Sequence, residues 1–303
     1  MDHNGDSQKI ETQSDNATLI NHVLEQIQKR AENRDHVTGV PTGYYTFDEY
    51  TAGFQPSNLI IVAGRPSMGK TALALNVAMR AACGYDVPTA VFSLEMSKEQ
   101  IMMRMLCAWG KVDISKIRRG RLDDDDWARL IGAAGQLSPA PICVDDTTAL
   151  TVVEILERCR RLKAERGLGL VVVDCLQLLR PAHKAQSREQ GISDISRYLK
   201  ALAQELAVPV LVVSQLERKV GERADKRPTL SDLPGALERD ADVIVFLYRK
   251  ATYKREDELN PNDNVAEIII GKQRNGPTGT VKLRFFKESA SFENLGDIPA
   301  PSE

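Results

Sequence analysis

The stretch Leu59-Ile-Ile-Val-Ala-Gly64-Arg-Pro-Ser-Met-Gly-Lys-Thr71-Ala-Leu-Ala-Leu75 decides the fold. Residues 59–63 form an unbroken apolar run that reads as a buried strand. A loop bounded by two glycines follows, and from Thr71 the apolar residues suit a helix. The loop satisfies the phosphate-binding pattern Gly-x-x-x-x-Gly-Lys-Thr in full, in the strand–loop–helix setting that gives the pattern its meaning. Gly64 and Gly69 let the backbone wrap a polyphosphate closely. The loop and helix N-terminus from Ser67 and Met68 through Ala72 can then aim their N–H groups at negative charge. Lys70 supplies a point charge to the outer phosphates, and Thr71 supplies a hydroxyl to Mg2+. The expected ligands are therefore ATP and Mg2+.

Outward from this loop, strand-like runs at 89–93, 141–144, 168–173, 208–213, 243–248 and 266–270 alternate with helical stretches at 98–109, 124–136, 152–166 and 192–206. Continuous apolar strands separated by helices predict an α/β fold, a mainly parallel sheet covered on both faces. Residues 281–286, after Gly276-Pro-Thr-Gly279, predict a hairpin that closes the sheet edge. Upstream, residues 1–17 are polar and predict a disordered tail. Leu19, Ile20, Val23, Leu24 and Ile27 predict a short amphipathic helix within 18–37, with Asn16 or Thr18 as its N-cap. Its apolar stripe needs a surface, which its own domain or a neighbouring subunit could supply. Residues 38–303 are then the main domain.

Hydrolysis needs more than a phosphate loop. The run Leu170-Val-Val-Val-Asp174 places Asp174 past the carboxyl end of a strand, where ligands of open α/β sheets collect, and it is the expected second acid for the metal. Asp145 and Asp146 also follow a strand but rank lower. Glu95, in Ser93-Leu-Glu-Met96, follows the strand after the phosphate-loop helix, a position expected to lie next to that loop. It can orient or deprotonate a water, or simply favour the start of a helix. Gln215, at another strand tip, can sense a γ-phosphate or cap a loop.

The formal net charge of -2 gives no sign of a nucleic-acid coat, so any such contact must come from local basic loops. Cys83, Cys107, Cys143, Cys159 and Cys175 include no CxxC pair and are expected to be reduced, mostly buried thiols. The N-terminus is polar, and no apolar run reaches membrane-spanning length. The expectation is a cytoplasmic protein with no membrane partner.

Taken in order, Gly39-Val-Pro-Thr-Gly-Tyr44, Arg65-Pro-Ser-Met-Gly-Lys70, Ser93-Leu-Glu-Met96, Asp174-Cys-Leu-Gln-Leu178, Ile195-Ser-Arg197, Ser214-Gln-Leu216 with Arg218, Asp240-Ala-Asp-Val-Ile244 and Lys272-Gln-Arg-Asn-Gly-Pro-Thr-Gly279 resemble the replicative helicase family typified by DnaB. The resemblance runs from about residue 38 to 295. It implies a RecA-like P-loop motor that hydrolyses ATP and moves 5′ to 3′ on single-stranded DNA as a homo-oligomeric, six-membered ring. It implies that Glu95 is the catalytic carboxylate, Asp174 the metal-side acid and Gln215 the γ-phosphate sensor. Lys272 and Arg274 would act in trans, as fingers reaching the nucleotide of the adjacent subunit. A charged, solvated hairpin edge is the structural alternative for that pair. The helix at 19–31 takes the place of the family's linker helix, which favours the neighbouring subunit as the surface for its stripe.

For DNA, two basic loops are candidates: Arg180, His183, Lys184 and Arg188 after the metal-side strand, and Arg218, Lys219, Arg223, Lys226 and Arg227 after Gln215. Sequence-independent, salt-sensitive grip on phosphates is the expected mode. Two departures from the family matter. Ser231-Asp-Leu-Pro-Gly235 is two residues shorter than the DNA-contacting loop of relatives and lacks its Arg–Glu pair, so grip is expected from Gly235, Arg239 and the preceding basic loop. Only a polar tail precedes Leu19 where the family carries a helical collar. A truncated chain, or a short helicase of phage, prophage or plasmid type, is therefore expected, and primase or a helicase loader is a less direct partner. The competing function is an ATP-switched DNA-binding or helicase-assembly module without processive unwinding.

Overall fold

The structure, a computed structural model, describes residues 16–32, 37–183, 185–254 and 261–296. The strands are β1 Leu59–Gly64, β2 Thr89–Ser93, β3 Ile142–Asp145, β4 Leu170–Asp174, β5 Val210–Gln215, β6 Val243–Tyr248, β7 Val265–Gln273, β8 Gly279–Phe286 and β9 Ser291–Asn294. Among the described residues they form one sheet in the order β3-β2-β4-β5-β1-β6-β7-β8-β9. The first six are parallel to one another, and the last three are added antiparallel. The α/β, mainly parallel sheet expected of a P-loop domain is what forms.

Its helices are α1 Asn16–Glu32, α2 Tyr45–Thr51, α3 Lys70–Tyr85, α4 Lys98–Gly110, α5 Ile114–Arg118, α6 Asp124–Leu137, α7 Val152–Arg166, α8 Arg188–Leu206 and α9 Gly235–Asp240. Because strand side chains alternate, the central strands feed two cores. Ile60 and Val62 of β1 join Val172, Leu211 and Val245 under α3 and α4. Leu59, Ile61 and Ala63 join Val171, Val173, Val212 and Phe246 under α7 and α8. In β8 buried and exposed residues alternate instead, the pattern of a strand with one wet face. Capping boxes fix the starts of three surface helices: Ser97 with Gln100, Asp123 with Asp126 and Thr151 with Glu154.

Several expectations need correction. The hairpin does not close the sheet, because β9 pairs with β8 beyond it. The first helix starts at Asn16, so Asn16 and Thr18 both lie within it rather than at a cap, and the expected tail loses its last two residues to the helix. Residues 1–15, the rest of that tail, lie outside the described residues. The α1 stripe stays open on this chain: Leu19, Ile20, Val23, Leu24 and Ile27 are each 45–57% exposed. The cysteines are free, and burial pushes the Cys159 thiol up to about 12. Among the described residues no helix is long and apolar enough to cross a membrane.

Candidate active site and nucleic-acid cleft

The phosphate loop is shaped by what packs around it. A Cβ on Gly64 would lie 2.9 Å from the Leu247 carbonyl oxygen of the neighbouring strand. Gly69 holds φ +99, and a Cβ there would meet Phe292 at 3.2 Å, so glycine is required on both counts. Ser67 adopts φ +66. Met68 is buried, so the loop is anchored by an apolar side chain, and its N–H donates to the Arg65 carbonyl at 3.4 Å. Burial lowers the Lys70 pKa against the opposing pull of Asp174, Cys175 and Glu95. Its Nζ donates to the Arg65 carbonyl at 2.9 Å, so the lysine closes the loop on itself. The cleft in front of the loop encloses about 910 Å³, with Ser67, Gly69, Lys70, Thr71, Ala72 and Arg104 among its lining. A loop that two glycines let pack closely on Leu247 and Phe292, beside a half-buried cation, fits a polyphosphate.

The acids converge on the same place. Burial raises the Asp174 pKa, the Thr71 hydroxyl donating to it pulls the other way, Glu95 raises it further, and Lys70 and Arg104 oppose that. Thr71 and Asp174 are thus near enough to interact and could hold a hydrated Mg2+ between them and the phosphates. The sheet order sets the route by which Glu95 comes near the loop. The strand it follows, β2, is not beside β1, since β5 and β4 intervene. Glu95 comes near Lys70 and Asp174 because Ser93 pairs with Asp174 across the β2–β4 ladder and the Leu94 N–H donates to the Asp174 carbonyl at 2.7 Å. It is exposed and lies outside α4, whose first turn carries Glu99 instead. The other acids are otherwise engaged: Asp145 pairs with Arg158, and Asp146 accepts from the Lys98 N–H at 3.0 Å.

Gln215 ends β5 directly opposite Gly64. Gln177 clasps its backbone, accepting from the Gln215 N–H at 3.2 Å and donating to its carbonyl at 3.1 Å, which leaves the exposed Gln215 side chain unengaged by that clasp.

Lys272 and Arg274 are not at this cleft. Lys272 pairs with Ile244 near the start of β6, level with Ile61 of β1, and the Arg274 N–H donates to the carbonyl of Asp242, level with Leu59, whereas the phosphate loop leaves β1 at Gly64. Three and five residues of strand separate these levels from the loop, roughly 10 and 17 Å. Both cations are tied to the last turn of α9. Lys272 Nζ donates to the Glu238 carbonyl, and Arg274 Nη2 donates to the Arg239 carbonyl at 2.8 Å. Burial and then the neighbouring Arg274 lower the Lys272 pKa.

A second cleft of about 1220 Å³ brings together Arg188, Lys219, Gly235 and Arg239 with Gln177 and Gln215. Arg188 begins α8 rather than standing in a loop, because Ser187 caps the helix there by accepting from the Gln190 N–H. Arg218 opens a one-turn 3-10 helix, Arg218–Glu222. Gly235 is the first residue of α9. Arg223 does not line this cleft, although its ion-pair partner Asp232, 2.7 Å away, does. Arg227 forks onto Glu267 with two bonds of 2.8 Å, and Lys226 sits over the Tyr253 ring. Arg180 donates to the Ala149 carbonyl. Lys184 lies outside the described residues.

No sequence pattern singles out Arg104 or Arg249, both of which line the phosphate cleft. Arg104 stands mid-helix, where a cation ordinarily reads as solvated surface. Only the approach of α4 to Asp174 distinguishes it.

A family model described as the DnaB-like helicase C terminal domain matches residues 39–294. The chain belongs to that family. It is 52% identical over 267 residues to the replicative DNA helicase DnaB of Geobacillus stearothermophilus, covering 87% of this chain and 58% of that one. It is 50% identical over 275 residues to the replicative DNA helicase DnaC of Bacillus subtilis (strain 168), covering 90% and 59%. Among solved structures, a DnaB-like replicative helicase studied with primase superposes with a TM-score of 0.84 at 40% identity, covering 94% of this chain and 68% of that one. A separately solved ATPase domain gives 0.87 at 40% identity, covering 94% of this chain and all of that one. The chain thus spans under three-fifths of the length of these two curated relatives.

Proposed function

We propose that this chain is the ATP-hydrolysing motor of a ring-forming replicative DNA helicase, moving 5′ to 3′ along single-stranded DNA. One observation carries the proposal: Lys70, Thr71, Asp174 and Glu95 are near enough to act on one another at the phosphate loop, while Lys272 and Arg274 stand toward the opposite end of the same strands. A single chain therefore holds a nucleotide-binding half and a cation-donating half that cannot meet. A second copy with its β7 end against the first copy's cleft completes the site, and repetition of that head-to-tail contact closes a ring. A hexamer is the closure we propose.

Within the cleft, the glycine loop and Lys70 bind the triphosphate, and Thr71 with Asp174 hold Mg2+, which neutralises charge developing on the phosphates. Glu95 orients the attacking water and accepts its proton. The Gln215 side chain senses the γ-phosphate, and its backbone clasp to Gln177 passes the change to the basic cleft that Gln177 also lines. Arg274 and Lys272 of the next subunit stabilise the transition state, and an arginine so supplied gives about 10³- to 10⁵-fold in rate. Arg188, Lys219 and the main chain at Gly235 grip DNA phosphates. The exposed α1 stripe docks on a neighbouring motor, so that 18–37 works as a linker and 38–303 as the motor domain. Primase or a loader is a further partner. The protein works in the cytoplasm.

Mixing Lys70→Ala with Arg274→Ala protein tests the trans arrangement. Each alone is expected to be inactive, whereas mixed rings contain interfaces with an intact cleft and an intact finger and recover hydrolysis. Absence of recovery at every mixing ratio refutes it. The internal pairing of Arg223 and Arg227 thins the DNA grip and favours a second reading, an ATP-switched assembly module. Hydrolysis stimulated by DNA without separation of a forked duplex would select that one.

A further inference from the structure

Arg249 stands just past the tip of β6, the strand beside the phosphate-loop strand. Its side chain is buried, with 9% of its surface left. The guanidinium carbon lies 4.1 Å from the centroid of the Phe285 ring, and Nη1 donates to the Ser67 carbonyl at 3.3 Å. The Nε is shielded and has no acceptor. Among the described residues no carboxylate comes within ion-pair distance of it. Burial lowers its pKa, with Glu288 the opposing charge. A buried cation held by one neutral carbonyl and one ring face is under-compensated, and such a group ordinarily costs stability. Yet it borders the same cleft as Lys70 and Thr71.

The supports around Arg249 also fix its direction. Phe285 packs against Phe292 with centroids 4.5 Å apart, and both rings lie within 3.4 Å of where a Gly69 side chain would begin. One aromatic pair thus floors the phosphate loop and packs against the guanidinium. A guanidinium has five donors in a rigid fork suited to phosphate oxygens, and the Ser67 contact occupies only one of them.

We propose that Arg249 is a nucleotide-binding cation, donating to an anionic phosphate oxygen of the bound nucleotide from the Phe285 side of the cleft. This rests on the cleft being the nucleotide site. The compensation that the chain's own groups do not provide then comes from the ligand. Through Ser67 the same side chain couples phosphate occupancy to the shape of the loop.

The test is nucleotide binding by the full chain carrying Arg249→Met or Arg249→Lys, with a fluorescent ATP analogue as probe and pyrophosphate as competitor. Arg249→Met is expected to weaken the analogue about tenfold and to raise the inhibition constant of pyrophosphate likewise. The melting temperature without nucleotide should not fall, because methionine against Phe285 replaces an under-compensated charge. Arg249→Lys keeps the charge but loses the fork, and should bind with intermediate affinity. An affinity within twofold of wild type, or an unchanged pyrophosphate constant, overturns the proposal. A loss of affinity matched by a lower melting temperature of the nucleotide-free protein also overturns it, since a merely structural clamp would produce both. If Arg249→Met does not fold, Arg249→Lys decides on the same criteria. Failure of wild-type protein to bind the analogue would instead remove the nucleotide site as a whole, which keeps the two failures apart.

Discussion

The Nε of Arg274 lies 3.5 Å from Oδ1 of Asp242, and the Arg274 main-chain N–H donates to the Asp242 carbonyl at 2.9 Å. Asp242 is buried at the foot of β6, where its other carboxylate oxygen accepts from the Leu59 N–H at 2.7 Å and from Lys200 Nζ at 2.6 Å. The proposed finger is therefore rooted in a polar hub that also ties down the first residue of the phosphate-loop strand and helix α8.

Removing that hub should damage stability and turnover together. Asp242→Ala leaves Lys200 with only the Ser57 carbonyl in place of its ion pair and is expected to cost about 3 kcal/mol of unfolding free energy. It should also slow hydrolysis while sparing nucleotide affinity, because the phosphate loop is at the far end of β1. Denaturant titration beside steady-state hydrolysis checks both. A stable variant with full turnover would mean that Arg274 needs no such root.

Glu95→Gln preserves size and hydrogen bonding but removes the basic group. Hydrolysis is expected to fall by about a hundredfold or more with nucleotide affinity retained. Turnover near wild type would move the catalytic role to another carboxylate.

Gly69→Ala tests the aromatic floor of the loop. At φ +99, with Phe292 at 3.2 Å, the added methyl should cost about 1–3 kcal/mol and weaken nucleotide binding. Thermal melting and binding measured on one preparation give the answer, and a neutral result would show that the loop rearranges freely.

The two basic side chains Lys219 and Arg223 should behave differently. Lys219 is exposed on the second cleft, so Lys219→Ala is expected to weaken single-stranded DNA binding for all sequences and to reduce the salt slope by about 1. Arg223 is consumed by Asp232, so Arg223→Ala should lower stability while leaving the slope unchanged. Binding isotherms over a range of salt concentrations separate these outcomes, and equal slopes for Lys219→Ala and wild type would remove Lys219 from the DNA grip.

The α1 stripe offers a test of assembly. Leu24→Asp on the exposed face should reduce the assembly mass seen with ATP analogue and leave the motor fold unchanged by circular dichroism. An unaltered mass would detach α1 from assembly.

Much of the architecture could be read along the chain. The runs at 89–93 and 243–248 coincide with β2 and β6, and the helix at 152–166 coincides with α7. These segments are long or uniformly apolar enough for their period to show. Helices α2, α5 and α9 escaped because five to seven residues give too little periodicity, and β9, the four residues Ser-Phe-Glu-Asn, escaped for the same reason. Arg188 was expected in a loop because nothing local distinguishes a capping Ser187 from a loop serine.

The phosphate loop itself was decided by contiguous residues, since a strand, two glycines, a lysine and a helix start constrain one another through a few bonds of chain. Strand order and register were not. That β4 and β5 separate β2 from β1, that Thr71 nevertheless meets Asp174, and that Arg274 lies a strand's length from its own chain's cleft all depend on pairing between segments 30 to 200 residues apart. Such pairing is set by how buried faces fit across the whole sheet, a quantity that no local run of residues carries.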